Sequence, residues 1–251
     1  MSDVVDRRPE ATRPVGEPRR QHRWGIWSFG LVFAVLVLSA VLIGAIAEVL
    51  SPGQGISVPV VLVGTMVPPL LAAAVAVLVT VLRGNGPRLD LGLTWRWADV
   101  WVGVRLGLIG LVCTSVAAFL WTRIVGEDNA SSALGKLVEN QRLPGAAAIT
   151  MFLFVWLIGP VCEEIIYRGL LWGALERANY GRWMVFVLTT VIFAISHLEP
   201  LRTSLLLVIG IPIGLARLFT GRLGASIIAH QVNNFLPALA VLLIAFDVMP
   251  P

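Results

Sequence analysis

Glu163 and Glu164 stand side by side in a run that otherwise reads as lipid-embedded helix, and Arg168 follows four residues after Glu164. A charge inside a bilayer costs roughly 2.5–3.5 kcal/mol on insertion scales, so a chain keeps such groups where they pair or do chemistry. On a helix Glu164 and Arg168 share a face at i,i+4 spacing. Their pairing neutralises two charges that could not be buried singly. Glu163 points about 100° away from its neighbour and lacks that partner. It is a candidate general base. The plainer reading of the same residues is a structural ion pair beside a stray glutamate.

Two later apolar runs each carry one histidine. In Phe193-x-x-x-His197 the aromatic ring and the imidazole lie on one helix face. If the chain reverses near Tyr180, Glu163 lies 17 residues before the reversal and His197 lies 17 after it. In a straight antiparallel pair both reach the same depth, roughly 25 Å from the turn. In His230-Gln231-Val232-Asn233-Asn234, His230 and Asn234 again share a face. Both side chains can donate hydrogen bonds to a developing oxyanion. Alternatively they are interhelical polar glue, worth roughly 0.6–2 kcal/mol. A carboxylate and an imidazole can polarise a water between them while a second His and an Asn hold the tetrahedral oxyanion. That is a hydrolase site without a covalent nucleophile. A zinc version would use Glu163, His197 and His230 as ligands and leave one position open. The His-Glu-x-x-His zinc helix, the Gly-x-Ser-x-Gly elbow and the P-loop are absent. Ser196 is turned about 100° from His197 and is a poor nucleophile.

The elements that position these groups are membrane helices. The chain has 251 residues, 57% hydrophobic and 14% charged, with a mean hydropathy of +0.84. Soluble domains are near 45–50% apolar and about 25% charged. The fold class expected is all-α, a polytopic transmembrane helical bundle of about seven spans. These are placed at 25–47, 58–82, 98–122, 146–174, 183–201, 203–220 and 223–246. The sixth is short and interrupted by Gly and Pro, which suggests a partly re-entrant segment. The organisation that follows is a disordered cytoplasmic tail over 1–24, N-terminal transmembrane helices over 25–122, a polar to amphipathic connector over 123–145, and a catalytic core over 146–246. Trp95, Trp97 and Trp101 fit an interfacial aromatic belt. Gly103-x-x-x-Gly107 and Gly210-x-x-x-Gly214 fit close helix packing. Cys113 and Cys162 read as small buried hydrophobes.

Charge sets the orientation. Six Arg in the tail put the N-terminus in the cytoplasm, and Arg83, Arg88 and Arg96 return the second connection to that side. Arg177 and Arg182 do the same for the fourth. If the fourth helix pairs straight with the fifth, the polar cluster sits nearer the outer leaflet. If the fourth span ends near Arg168, the cluster sits nearer the cytoplasm. The net charge of +4 belongs to tail and loops, so topology explains it and nucleic acid is not an expected partner. Eighteen of the nineteen basic residues are Arg, which fits a GC-rich bacterial genome and hence a bacterial plasma membrane.

Taken together, Glu-Glu-x-x-x-Arg, Phe-x-x-x-His and His-x-x-x-Asn on successive membrane helices resemble the family of CAAX-prenyl proteases and bacteriocin-processing enzymes, also called the CPBP or abortive-infection family. The resemblance covers about residues 145–246. It implies an intramembrane endopeptidase, commonly described as a metalloprotease. In it Glu163 and His197 activate water, His230 and Asn234 stabilise the oxyanion, and Glu164 and Arg168 support them. The favoured mechanism requires no cofactor, with Zn²⁺ as the alternative. In a bacterial chain the expected substrate is a peptide or membrane protein rather than a prenylated one, met within the lipid bilayer. Two rival readings use the same residues: a non-catalytic scaffold or bacteriocin-immunity protein that retains the site, and a proton-coupled transporter with Glu163, His197 and His230 as a relay. No internal repeat supports the transporter.

Overall fold

The computed structural model describes residues 23–53, 55–126, 135–136, 143–246 and 248. Among them every regular element is helical. The expected tail and the expected connector therefore lie largely outside the described residues. Helices α1 (Ile26–Leu50) and α2 (Val58–Arg83) form a hairpin. The single turn α3 (Pro87–Asp90) leads to α4 (Trp97–Val125). A long composite helix, α5 (Gly145–Arg177), is followed by α6 (Arg182–Ser196), α7 (Thr203–Thr220) and α8 (Leu223–Ala245).

Six of these helices are long and apolar enough to cross a membrane. The exceptions are the single turn α3 and helix α6, the latter expected to span 183–201. Helix α6 has 15 residues, about 22 Å at 1.5 Å per residue, short of a bilayer core of about 30 Å. It stops early because Leu198 turns into the left-handed region at φ 55° and Pro200 opens a separate 3₁₀ turn. The sixth expected span, 203–220, is present with those bounds, and only its suggested re-entrant character is replaced. Despite Gly210, Pro212 and Gly214, α7 is one continuous helix, and half of its most apolar window is buried. Small residues there admit neighbours rather than break the helix.

Small residues also bring α4 against α7 and α8. A Cβ on Gly103 would fall 2.7 Å from the Ala225 carbonyl, and one on Gly107 would fall 2.7 Å from Val232. Ala72, Ala73 and Ala76 place α2 against α5 in the main core. Of the two cysteines, Cys162 is buried as expected and Cys113 is exposed on α4.

One end of the bundle is tied by polar contacts that the sequence did not announce. Trp24 Nε1 and the Asn85 backbone N–H both donate to Asp90 Oδ2, at 3.0 and 2.8 Å. Arg177 reaches Asp90 Oδ1 at 3.3 Å and stacks 3.6 Å over Trp24. Arg222 Nε donates to the buried Asp99 at 2.7 Å, joining the start of α4 to the α7–α8 turn. Leu223 N–H donates to Gly92 O at 2.9 Å. The ends of α2, α5 and α7 and the starts of α1, α4, α6 and α8 thus meet at one Arg-rich end.

Candidate functional site

The polar cluster is built on α5, whose backbone departs twice from α-helical bonding. Residues Phe154–Ile158 and Ile165–Leu171 are π-helical and flank the α-helical turn Gly159–Glu164 that carries both glutamates. In the first π segment the Gly159 N–H donates to Phe154 O, five residues back. Pro160 follows and has no N–H, so the Val155 carbonyl is left without a helical donor. Asn234 of α8 supplies one, Nδ2 lying 3.3 Å from Val155 O. Gln231 Nε2 donates to Leu157 O at 3.0 Å. Two amides of α8 thereby lock α8 to the widened turn just before the glutamates.

The two carboxylates have different surroundings. Glu164 is fully buried, and its Oε1 accepts from Arg168 Nη1 at 3.0 Å. Arg168 is equally buried, donates to Gly210 O at 3.3 Å and lies 4.4 Å over the Phe193 ring. The same Glu164 oxygen lies 3.0 Å from His230 Nδ1. An ionised carboxylate only accepts, so Nδ1 carries the proton there. Glu163 is 29% exposed, and its Oε2 lies 3.7 Å from His230 Nε2, beyond hydrogen-bond range. His230 is therefore flanked by both glutamates, with the buried one fixing the ring and the exposed one facing its free nitrogen.

His197 caps the C-terminal end of α6. Its Nδ1 lies 2.8 Å from Phe193 O, an acceptor only, so Nδ1 is the protonated nitrogen and Nε2 is the basic one in the neutral ring. The Phe193 ring, buried at the centre, meets His197 at 4.7 Å, His230 at 5.8 Å and Tyr167 at 5.4 Å between centroids. The Ser196 hydroxyl donates to Phe193 O at 2.9 Å, so the Tyr167 hydroxyl, 2.6 Å away, is the donor to Ser196. Sequence reasoning passed over this tie between α5 and the end of α6. A hydroxyl directly before His197 was its only signal.

The structure thus gathers Glu163, Glu164, Arg168 and His230 in direct contact, with His197 attached through Phe193. Glu163 and His197 make no hydrogen bond with each other. Asn234 is one helical turn beyond His230, with one of its two amide protons directed to Val155. The donor set named for zinc is not assembled: among the described residues no three His, Cys, Asp or Glu side chains are spaced to hold one ion. An apolar groove of about 290 Å³ between α1 and α2, lined by residues such as Ile43, Leu50 and Val60, has no group that could do chemistry.

The depth of the cluster follows from α5. A Cβ on Gly169 would lie 3.2 Å from Leu91, in the connection at the Arg-rich end. Glu164 is five residues farther in, about 8 Å. His230 is seven residues into α8 from Leu223, about 10 Å. The site lies nearer the Arg-rich end, and α5 runs on past the Leu91 level to Arg177.

Comparison with known proteins finds a family match over the segment that carries this cluster. The family described as "Type II CAAX prenyl endopeptidase Rce1-like" matches residues 145–236, which hold the three motifs. The chain is 28% identical over 173 residues to the membrane-embedded CAAX protease MroQ of Staphylococcus aureus (strain USA300), covering 66% of this chain and 68% of that protein. It is 27% identical over 154 residues to a protein of Bacillus subtilis (strain 168) provisionally named membrane peptidase YdiL, covering 60% of this chain and 57% of that protein. No solved structure matches. The family match is confined to residues 145–236, and the chain is a multi-pass membrane protein similar to these two membrane proteins.

Proposed function

We propose, for a chain with this family's core in α5–α8, that it is an intramembrane endopeptidase in which Glu163 activates the attacking water. The observation that carries the reading is the difference between two adjacent carboxylates. Glu164 is sealed and hydrogen-bonded to Arg168 and His230, whereas Glu163 is partly exposed and faces His230 Nε2 at 3.7 Å without a hydrogen bond. Water held between Glu163 and His197 Nε2 gives its proton to the Glu163 carboxylate as its oxygen attacks the peptide carbonyl carbon. The oxyanion formed accepts from His230 Nε2 and from the second amide proton of Asn234. His230 can donate there only with protons on both ring nitrogens, because Nδ1 already donates to Glu164. Collapse of the tetrahedral intermediate breaks the C–N bond, and Glu163 returns the proton to the leaving amine. Glu164 and Arg168 are positioning residues that fix the His230 ring.

The Arg-rich end is assigned to the cytoplasmic side of the plasma membrane, on the excess of Arg in its connections. The start of α1 then faces the cytoplasm, and the site opens within reach of that face. The substrate class is a peptide or a membrane protein.

The test compares peptide N-termini in host membranes expressing wild type or Glu163→Gln at equal levels. New N-termini present only with wild type are expected, with the melting temperature unchanged in the variant. Undiminished cleavage by Glu163→Gln would overturn the mechanism.

A further inference from the structure

The rotation of α4 is fixed by the glycines that pack it, and this settles where Arg105 points. Gly103 and Gly107 lie against Ala225, Ile228 and Val232 of α8 with no room for a Cβ. Arg105 is two residues from each, about 200° around the helix. It leaves on the side away from α8 and is exposed. Its position is eight residues, about 12 Å, inside the start of an apolar helix. Among the described residues it has no ion pair and no hydrogen bond. At i−4 and i−8 on the same face stand Trp101 and Trp97, 67% and 80% exposed. Farther along, Leu108 and Val112 are exposed too.

A guanidinium facing hydrocarbon without a counterion is unfavourable, and long basic side chains relieve this by reaching toward the interface. Side chains on a helix tilt toward its N-terminus. From this position a guanidinium can extend back to the level of Trp101, where indole rings favour the headgroups. The guanidinium is a planar fork that matches a phosphate bidentately. We propose that Arg105, with Trp101 and Trp97, binds the phosphate of an anionic phospholipid. An acyl chain of that lipid runs down α4 along Leu108 and Val112. The site is separated from the peptidase cluster by α4 itself, and it does not depend on the peptidase reading.

The experiment uses the full chain in phosphatidylcholine nanodiscs, titrated with phosphatidylglycerol carrying brominated acyl chains. Brominated phosphatidylcholine is the control, and tryptophan quenching is the signal. The anionic lipid is expected to act at about fivefold lower mole fraction than the control, the weight of one basic residue near the interface. Arg105→Gln is expected to abolish that excess. An equal excess in Arg105→Gln would overturn the proposal. Should Arg105→Gln fail to accumulate, Arg105→Lys serves instead: it keeps the charge, loses the fork, and is expected to lose at least half of the excess. An unchanged excess would again overturn the site. A Cys113→Ser, Arg105→Cys chain that cross-links to a second protein in native membranes would also overturn it, because Arg105 would then face a polypeptide.

Discussion

Helices α1 and α7 could both cross a bilayer, yet they live in opposite surroundings. The most apolar window of α1 has a mean hydropathy of 2.8 and is 6% buried, whereas that of the segment containing α7 has 1.8 and is 50% buried. In water the more apolar helix would be the inner one. In lipid no hydrophobic gradient drives apolar faces inward, so small and polar residues collect inside and the greasiest surface faces the tails. Helix α7, whose Gly210 carbonyl accepts from Arg168, accordingly carries buried Arg217, while α1 presents Leu31, Leu38, Val41 and Leu42 outward. The family match follows the same division, beginning at residue 145. Helices α1 to α4 lie outside the matched segment.

Three substitutions probe this contrast. The largest effect is expected for Arg168→Ala, which leaves Glu164 buried without its cation and removes the group stacked on Phe193. Breaking such a pair typically costs about 3–5 kcal/mol. A large fall in melting temperature in detergent should accompany loss of cleavage, and an unchanged melting curve would show that the pair does not hold the core together. Gly103→Val comes next. Its Cβ would collide with the Ala225 carbonyl, at a cost of about 1–3 kcal/mol. The same melting assay reads it, and a substantial loss would tie α4 to the inner half although it precedes the matched segment. The smallest effect is expected for Leu38→Ala on α1, 66% exposed, within about 0.5 kcal/mol. A loss as large as that of Gly103→Val would mean that α1 faces protein rather than lipid.

Much of the site was legible because its key spacings are local. Glu164 and Arg168 meet as i,i+4 neighbours across a backbone only slightly widened, and Phe193 meets His197 in the same way. The reversal near Tyr180 was legible too, since α5 ends at Arg177 and α6 starts at Arg182. The Trp24–Asp90–Arg177 tie was not. Its members are 66 and 87 residues apart, and nothing in their types distinguishes them from other loop charges and interfacial aromatics. The truncation of α6 was missed because hydropathy continues through Leu198 and Leu201 while the backbone does not.

By itself the sequence determined that the chain lies in a membrane, which segments are helical, and that Glu164 must take Arg168 as its partner. These follow from hydropathy and from the repeat of a single helix, both of which are short-range. Tertiary structure alone decided that His230 leans on Glu164 and faces Glu163, and that Asn234 spends one donor on Val155. It also decided that the site lies toward the Arg-rich end. Those outcomes depend on the axial register between helices, and in α5 two π segments reset that register by adding a residue to a turn, a shift that hydropathy and i,i+4 spacing do not record.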